Sequence, residues 1–316
     1  MKTVVIGIDI GGTNTVFGIV TRSGNVLVEG KIPTKGYTDV SEYIARLSGK
    51  IKERLNAFEN DVDLIGIGVG APNGNIHTGN IEFAPNLDWK GVVPLSELLN
   101  SHFDVPVKIT NDANAAALGE MKYGGAQKMN DFIFITLGTG LGSGIVSNGN
   151  IVYGHAGFAG EIGHTIAVRN GRLCGCGRRG CLETYASASG IVKTAREYLE
   201  NDACQSSLRK YNSKELTSKQ IYDEAKLGDP TALKIFDYTA RILGQSLADS
   251  VAYTGPEAIF LFGGLAKAED LLLVPTKQYM EQNLLSIYKN KVKILPSELK
   301  DGQAAVIGAA ALIWSN

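Results

Sequence analysis

Residues 8–28 read IDIGGTNTVFGIVTRSGNVLV, and residues 135–153 read ITLGTGLGSGIVSNGNIVY. Each runs strand, glycine turn, strand, Gly-Asn turn, strand. The apolar runs break at Gly11-Gly12-Thr13 in the first and at Gly138-Thr139-Gly140-Leu141-Gly142 in the second, and Gly24-Asn25 and Gly149-Asn150 supply the next turns. From Gly12 to Gly24 is 12 residues, and from Gly138 to Gly149 is 11. The near match implies two related halves, each opening on a glycine hairpin, with a boundary expected near residue 110. Glycine lets backbone N–H groups approach phosphate oxygens, and the hydroxyl of Thr13 adds a donor. Asp9 is placed to orient a hydrated Mg²⁺, since that ion keeps waters and binds carboxylate together with phosphates. Either hairpin alone reads equally well as a plain turn; two of them favour a nucleotide held from both sides. No Gly-Lys-Ser/Thr follows, so neither is a Walker loop.

Working outward, strands alternate with helices, the pattern of an α/β fold. Strands are expected at residues 2–10, 15–20, 26–32, 64–69, 105–110, 132–137 and 258–262. Helices are expected at 39–58, where Asp39 and Glu42 read as the N-terminal cap, at 113–121, from Asp229-Pro230 onward, and at 304–314. Val40, Tyr43, Ile44, Leu47, Ile51, Leu55 and Phe58 share one face of the first helix. Leu233, Phe236, Ala240, Leu243, Leu247 and Val251 share one face of the third. Residues 70–89 form a long loop rich in Gly, Pro and Asn, a kind that is usually functional.

Asn111-Asp112 closes a strand, where α/β folds place reactive groups. Asp112 reads either as a general base toward a substrate hydroxyl or as the cap of the helix that follows. Gly263-Gly264 follows another strand and reads either as backbone passing an adenosine or as a simple turn. His164, Cys174, Cys176 and Cys181 make a Cys₃His set with the spacing of structural zinc. Four protein ligands close a tetrahedral site, so the metal would fold a loop and not activate water. Glu161 and Glu183 bracket the set. They are either acceptors for sugar hydroxyls or solvated loop charge. His164 has a second ring nitrogen for a hydroxyl. Cys204 lies apart in a polar stretch and reads as a free thiol.

Lys plus Arg is 31 and Asp plus Glu is 32, a net charge of -1, which argues against nucleic acid as the main partner. Hydrophobic residues at 44% exclude a disordered chain. The 38 glycines stand well above the usual share of about 7% and cluster behind the strand-like runs. The longest apolar stretch, residues 304–314, is too short for a membrane span. Asp9 interrupts the only leader-like run, and no small-residue cleavage site follows it. A cytoplasmic protein with reduced cysteines is expected.

The set Asp9-Ile10-Gly11-Gly12-Thr13, Asn111-Asp112, Gly154-His155-Ala156-Gly157-Phe158-Ala159-Gly160-Glu161-Ile162-Gly163-His164 and Cys174-Gly175-Cys176-Gly177-Arg178-Arg179-Gly180-Cys181-Leu182-Glu183 resembles the ROK family of sugar kinases, repressors and open-reading-frame products. The resemblance spans essentially the whole chain, in order. It implies the actin-like ATPase (ribonuclease H-like) fold: two α/β domains with ATP and sugar in the cleft between them. Residues 1–110 plus 302–316 would form the smaller domain, with the last helix packed back on it. Residues 111–301 would form the larger one, carrying the zinc loop.

The resemblance further implies an ATP-dependent hexose kinase, with Asp112 as the base toward the sugar 6-hydroxyl. Asn86, Asn111, Glu161, His164 and Glu183 would hold the other hydroxyls. Asp9, Gly11, Gly12, Thr13, Gly138, Thr139, Gly140, Gly263 and Gly264 would serve ATP and Mg²⁺. The residues 181–187, Cys-Leu-Glu-Thr-Tyr-Ala-Ser, look most like the glucokinase branch, so glucose is the expected sugar. N-acetylglucosamine, N-acetylmannosamine, fructose and allose are the family's other substrates, and a non-catalytic sugar sensor is the rival from outside the enzymes. The family's repressors carry an N-terminal helix-turn-helix; this chain opens at the first strand, so none is expected. A homodimer or homotetramer is the family default. One departure stands at Pro72-Asn73-Gly74-Asn75, where many members have Pro-Gly-Pro.

Overall fold

The computed structural model describes residues 1–58, 61–200, 205–300 and 302–314; Cys204 lies outside them. The chain opens with β1 (Lys2–Ile10), β2 (Asn14–Thr21), β3 (Val26–Pro33), α1 (Val40–Asn56), β4 (Val62–Gly70), β5 (Ile81–Glu82), β6 (Val92–Val93), α2 (Leu95–Asn100), β7 (Val107–Thr110) and α3 (Asp112–Tyr123). It continues with β8 (Phe132–Leu137), β9 (Leu141–Ser147), β10 (Asn150–Ile151), α4 (Ala188–Leu199), α5 (Ser218–Lys226), α6 (Pro230–Thr254), β11 (Ala258–Phe262), α7 (Leu273–Asn283), β12 (Lys293–Pro296) and α8 (Ala304–Trp314). Contacts divide it into two units: Met1–Met129 with Asn150–Gly160 and Glu298–Asn316, and Asn130–Gly149 with Glu161–Ser297. Boundaries at 110/111 and 301/302 fall inside the first unit of this division, because α3 packs along α8 and stays with the first sheet.

The first sheet has the order β3-β2-β1-β4-β7. β1 pairs antiparallel with β2 and parallel with β4, and β4 pairs parallel with β7. Ile6, Ile8, Ile10 and Phe17 are buried. Asp39 caps α1, its carboxylate accepting from the N–H of Ser41 at 2.8 Å. Tyr43, Ile44, Leu47 and Ile51 form the buried stripe of α1, with Val40, Leu55 and Phe58 half-buried at its edges. The other face of the sheet is smooth for a reason. A Cβ on Gly7 would lie 2.0 Å from the Val306 carbonyl oxygen, and one on Gly68 would lie 1.8 Å from that of Ala309. Only glycine lets α8 lie directly on β1 and β4. Gly308 meets α3 in the same way, 2.4 Å from the Ala115 carbonyl oxygen for an added Cβ.

In the second unit β9-β8-β11-β12 repeats the order β2-β1-β4-β7. β8 is antiparallel to β9 and parallel to β11, which is parallel to β12. The expected echo is therefore an echo of topology. Asp229 caps α6 by accepting from the Ala232 N–H at 2.7 Å, with Pro230 at the first turn. Phe236, Ala240, Leu243, Leu247 and Val251 are buried; Leu233, expected among them, is 39% exposed. Among the described residues no helix is long and apolar enough to cross a membrane.

Candidate active site

The first unit gathers Asp9, Gly11, Gly12, Thr13, Asn86, Asn111 and Asp112. The β1–β2 hairpin closes with the Gly11 N–H on the Asn14 carbonyl, 3.0 Å, and its far side is fixed by Thr34 N–H on the Thr13 carbonyl, 2.9 Å. Behind it, the Thr15 hydroxyl meets Thr34 at 2.8 Å and the Tyr43 hydroxyl at 2.7 Å, all buried. A Cβ on Gly12 would sit 3.0 Å from the Asn86 carbonyl oxygen, so the loop bearing Asn86 lies against the hairpin.

At the β7–α3 junction Asn111 is the helix cap, its side-chain oxygen accepting from the Ala113 N–H at 2.8 Å. Capping, one of the two readings of Asp112, is thus done by its neighbour. Asp112 also accepts from that N–H, 2.8 Å. The residue is exposed at the start of α3, but protein groups crowd around its carboxyl. That enclosure pushes its carboxyl above the ordinary aspartate value, against the pull of the Ala113 N–H. Asp9 is raised to about 7, by burial first and then by the charge of Asp112. Two carboxylates at the ends of β1 and β7, with β4 between them, each costly to ionise, suit a cation or a proton to be received.

Asn75, the last residue of the Pro72-Asn73-Gly74-Asn75 departure, organises its loop. It is buried, and its amide donates to the Ala156 carbonyl at 2.9 Å and to Glu82 at 3.1 Å, while its oxygen accepts from the His77 N–H at 2.9 Å. His77 Nε2 meets the Gly154 carbonyl at 3.0 Å. Gly157 has φ 83°, and a Cβ there would strike Asn75 at 2.4 Å. The loop that departs from Pro-Gly-Pro therefore holds residues 154–157, and Asn73 and Phe83, with φ of 51° and 53°, shape it. No local pattern announces Asn75, because its main partner is 81 positions away.

The second unit gathers Gly138, Thr139, Gly140, Glu161, His164, Cys174, Cys176, Cys181 and Glu183. The ligand atoms of His164 and the three cysteines lie within 4.8 Å of one another. Cys174 Sγ stands 3.7 Å from His164 Nδ1, and Cys176 Sγ 3.7 Å from Cys181 Sγ. Tetrahedral zinc with Zn–S of about 2.3 Å requires sulfurs about 3.8 Å apart. The donor set and its spacing fit that ion. Burial pushes the Cys174 thiol up, and the Glu183 carboxylate adds to the rise. That carboxylate accepts from Cys174 Sγ at 2.9 Å and lies 3.8 Å from His164 Nδ1.

Glu183 also reaches the second hairpin: a Cβ on Gly140 would sit 2.7 Å from its Oε2. The hairpin is tied down by the Ala188 N–H on the Gly138 carbonyl, 2.8 Å, and the Ser189 hydroxyl on the Thr139 carbonyl, 2.7 Å. Glu161 is exposed and leads into the short turn Ile162–His164, whose Ile162 N–H donates to the Ser143 hydroxyl at 3.0 Å. Gly263, at φ 103°, passes close to the end of β8, where a Cβ would lie 2.7 Å from the Leu137 carbonyl oxygen. Gly264 lines a cavity of about 410 Å³ with Tyr222, Phe236, Leu265, Lys267 and Ala268.

Two α/β units of matching strand order, each opening on a glycine hairpin, have the fold of the actin-like ATPases. The family model described as ROK family matches residues 5–316, and the chain belongs to that family. It is similar to a glucokinase of Halalkalibacterium halodurans, 38% identical over 98% of this chain and 94% of that one. Among solved structures it is similar to a ROK family glucokinase from Streptomyces griseus in complex with glucose and AMPPNP, at 33% identity and TM-score 0.80, covering 99% of this chain and 100% of that one. It is also similar to a ROK family transcriptional regulator, a homologue of the E. coli MLC protein, at 27% identity and TM-score 0.89, covering all of this chain and 78% of that one.

Proposed function

We propose that this ATP-dependent sugar kinase phosphorylates the 6-hydroxyl of glucose, with Asp112 as general base. The observation that carries the reading is the β7–α3 junction, where Asn111 caps the helix and Asp112, at its first turn, carries a carboxyl of raised proton affinity. A carboxylate with a raised pKa is a better proton acceptor for an alcohol than an ordinary one. Similarity to glucokinases, one of them solved with glucose and an ATP analogue, supports the substrate pair.

Asn86, Asn111, Glu161, His164 and Glu183 hold the remaining hydroxyls. Gly12, Thr13, Thr139 and Gly140 offer phosphates their backbone N–H groups, while Gly11 and Gly138 shape the hairpins, their own N–H groups donating to the Asn14 and Gly140 carbonyls. Asp9 takes the hydrated Mg²⁺, which neutralises phosphate charge. Gly263 turns the chain into Gly264, which lines the cavity; its size suits an adenosine, and Tyr222, Phe236, Leu265 and Ala268 line it together with Ser218, Lys219 and Lys267. His164, Cys174, Cys176 and Cys181 hold structural zinc, which supplies rigidity. A thiolate has no proton to donate, so holding zinc also frees the Glu183 carboxylate from Cys174.

A panel of glucose, N-acetylglucosamine, N-acetylmannosamine, fructose and allose with ATP and Mg²⁺ tests the reading. The highest kcat/KM is expected for glucose, because a site built to pair hydroxyls strands its own polar groups when one is missing. Preference for an N-acetylated sugar or fructose removes glucose and keeps the hexose kinase. No turnover with any sugar that still binds would make the protein a sensor.

A further inference from the structure

Arg172 stands two residues before the first metal-loop cysteine, and its side chain is only 11% exposed. Its guanidinium donates to the Thr184 carbonyl at 2.6 Å, the Gly190 carbonyl at 3.3 Å and the Thr194 hydroxyl at 2.9 Å. It also makes a two-pronged pair with Glu197, at 2.7 and 2.5 Å. The fork lies over the Tyr185 ring, 4.3 Å from its centroid, and the Tyr185 hydroxyl accepts from the Arg172 backbone N–H at 2.9 Å. The Arg172 carbonyl in turn accepts from the Gly180 N–H at 2.8 Å.

These bonds join three pieces of chain. Residues 172–180 belong to the cysteine loop, residues 184–185 directly follow Glu183, and residues 190–197 lie in α4. The Thr184 carbonyl belongs to the peptide next to Glu183, so the guanidinium fixes the backbone from which that carboxylate projects. Zinc would pin the loop, and the Cys181 carbonyl accepts from the Thr184 N–H at 3.0 Å and the Thr184 hydroxyl at 2.7 Å. Arg172 adds a second tie, from the loop to the Thr184 carbonyl and on to Gly190 and Thr194 in α4.

We propose that Arg172 is a positioning residue for sugar binding, acting through Glu183 and not through the metal. This rests on the reading that Glu183 holds a sugar hydroxyl. Lysine cannot replace a planar, stacked, multiply bonded guanidinium. Arg172→Lys should raise the glucose KM about tenfold, with kcat and the ATP KM changed much less, because a misplaced contact is lost mainly from binding. Zinc should stay near one per chain. In a Glu183→Gln background the same substitution should add little, since both changes remove one function. If Arg172→Lys fails to fold, Glu197→Gln removes only the exposed partner of the fork and should shift the glucose KM in the same direction, about twofold to threefold.

An unchanged glucose KM in Arg172→Lys or Glu197→Gln overturns the proposal, as does loss of zinc in step with the KM or full additivity with Glu183→Gln. Glu183→Gln alone tests the underlying reading. If that variant binds glucose normally, both ideas fall, and the single variant shows that the reading fell first.

Discussion

The two glycine hairpins share a topology and differ in what surrounds them. Beside the first stand Asp9 and Asp112, two carboxylates with raised proton affinity, and the hairpin is braced by backbone and by the Asn86 loop. Beside the second no carboxylate closes the strand. Its carbonyls are tied to residues 188–189, and Glu183 bears on it from beside the His and Cys cluster. The same fold element is used once to present charge and once to present a scaffold. Damage to the first should therefore appear in turnover, and damage to the second in sugar binding.

The sharpest way to break this contrast is Asp112→Asn, which keeps the shape and removes the base. Turnover should fall by about a hundredfold or more while glucose affinity measured by titration changes little. Near-normal turnover would leave Asp112 without a chemical role. Next is Cys176→Ser on the scaffold side. Metal analysis should show the zinc lost, and the glucose KM should rise between about tenfold and a hundredfold, the range for disturbing the support of a site. Complete zinc loss with unchanged sugar kinetics would cut the link between loop and sugar.

The third expectation follows from Asp9, raised to about 7. Mg²⁺ competes with a proton for that carboxylate, so Mg²⁺ binds better as pH rises through this value. Between pH 8 and pH 6 the ionised fraction falls by about tenfold, and the apparent Mg²⁺ constant should weaken by about that factor beyond the titration of ATP itself. Asp9→Asn should flatten the dependence. A wild-type constant that tracks ATP alone across this range would show that Asp9 does not meet the ion.

How much of this was written locally in the chain varies by residue. β8 and β11 carry dense apolar runs stopped by glycine, and both occur at the expected residues. Asp229-Pro230 marks the start of α6 because cap and first-turn chemistry are local. The Cys₃His set is legible because three cysteines within eight positions, with a histidine ten residues before the first, leave few alternatives. Other features have no local signature. α5 begins with a capping box, Thr217 with Gln220, inside a polar stretch that gives little apolar rhythm. Asn75 and Arg172 are ordinary polar residues until the fold brings Ala156 to one and Glu197 to the other. The cap at the α3 start is a subtler case. Asn and Asp are both good caps, and only the backbone decides that Asn111 takes that place and Asp112 does not.

The fit of α8 onto Gly7 and Gly68 has a consequence for the order of events on the ribosome. Lys2–Ile10 is made before the second unit and Ala304–Trp314 after it, yet they pack against each other. A nascent chain that has been extended through Ser297 already holds every residue of the second unit. The first sheet at that moment has five strands and a bare glycine face. The unit translated first is thus the one completed last, and its exposed face must be kept from other chains until the final helix arrives.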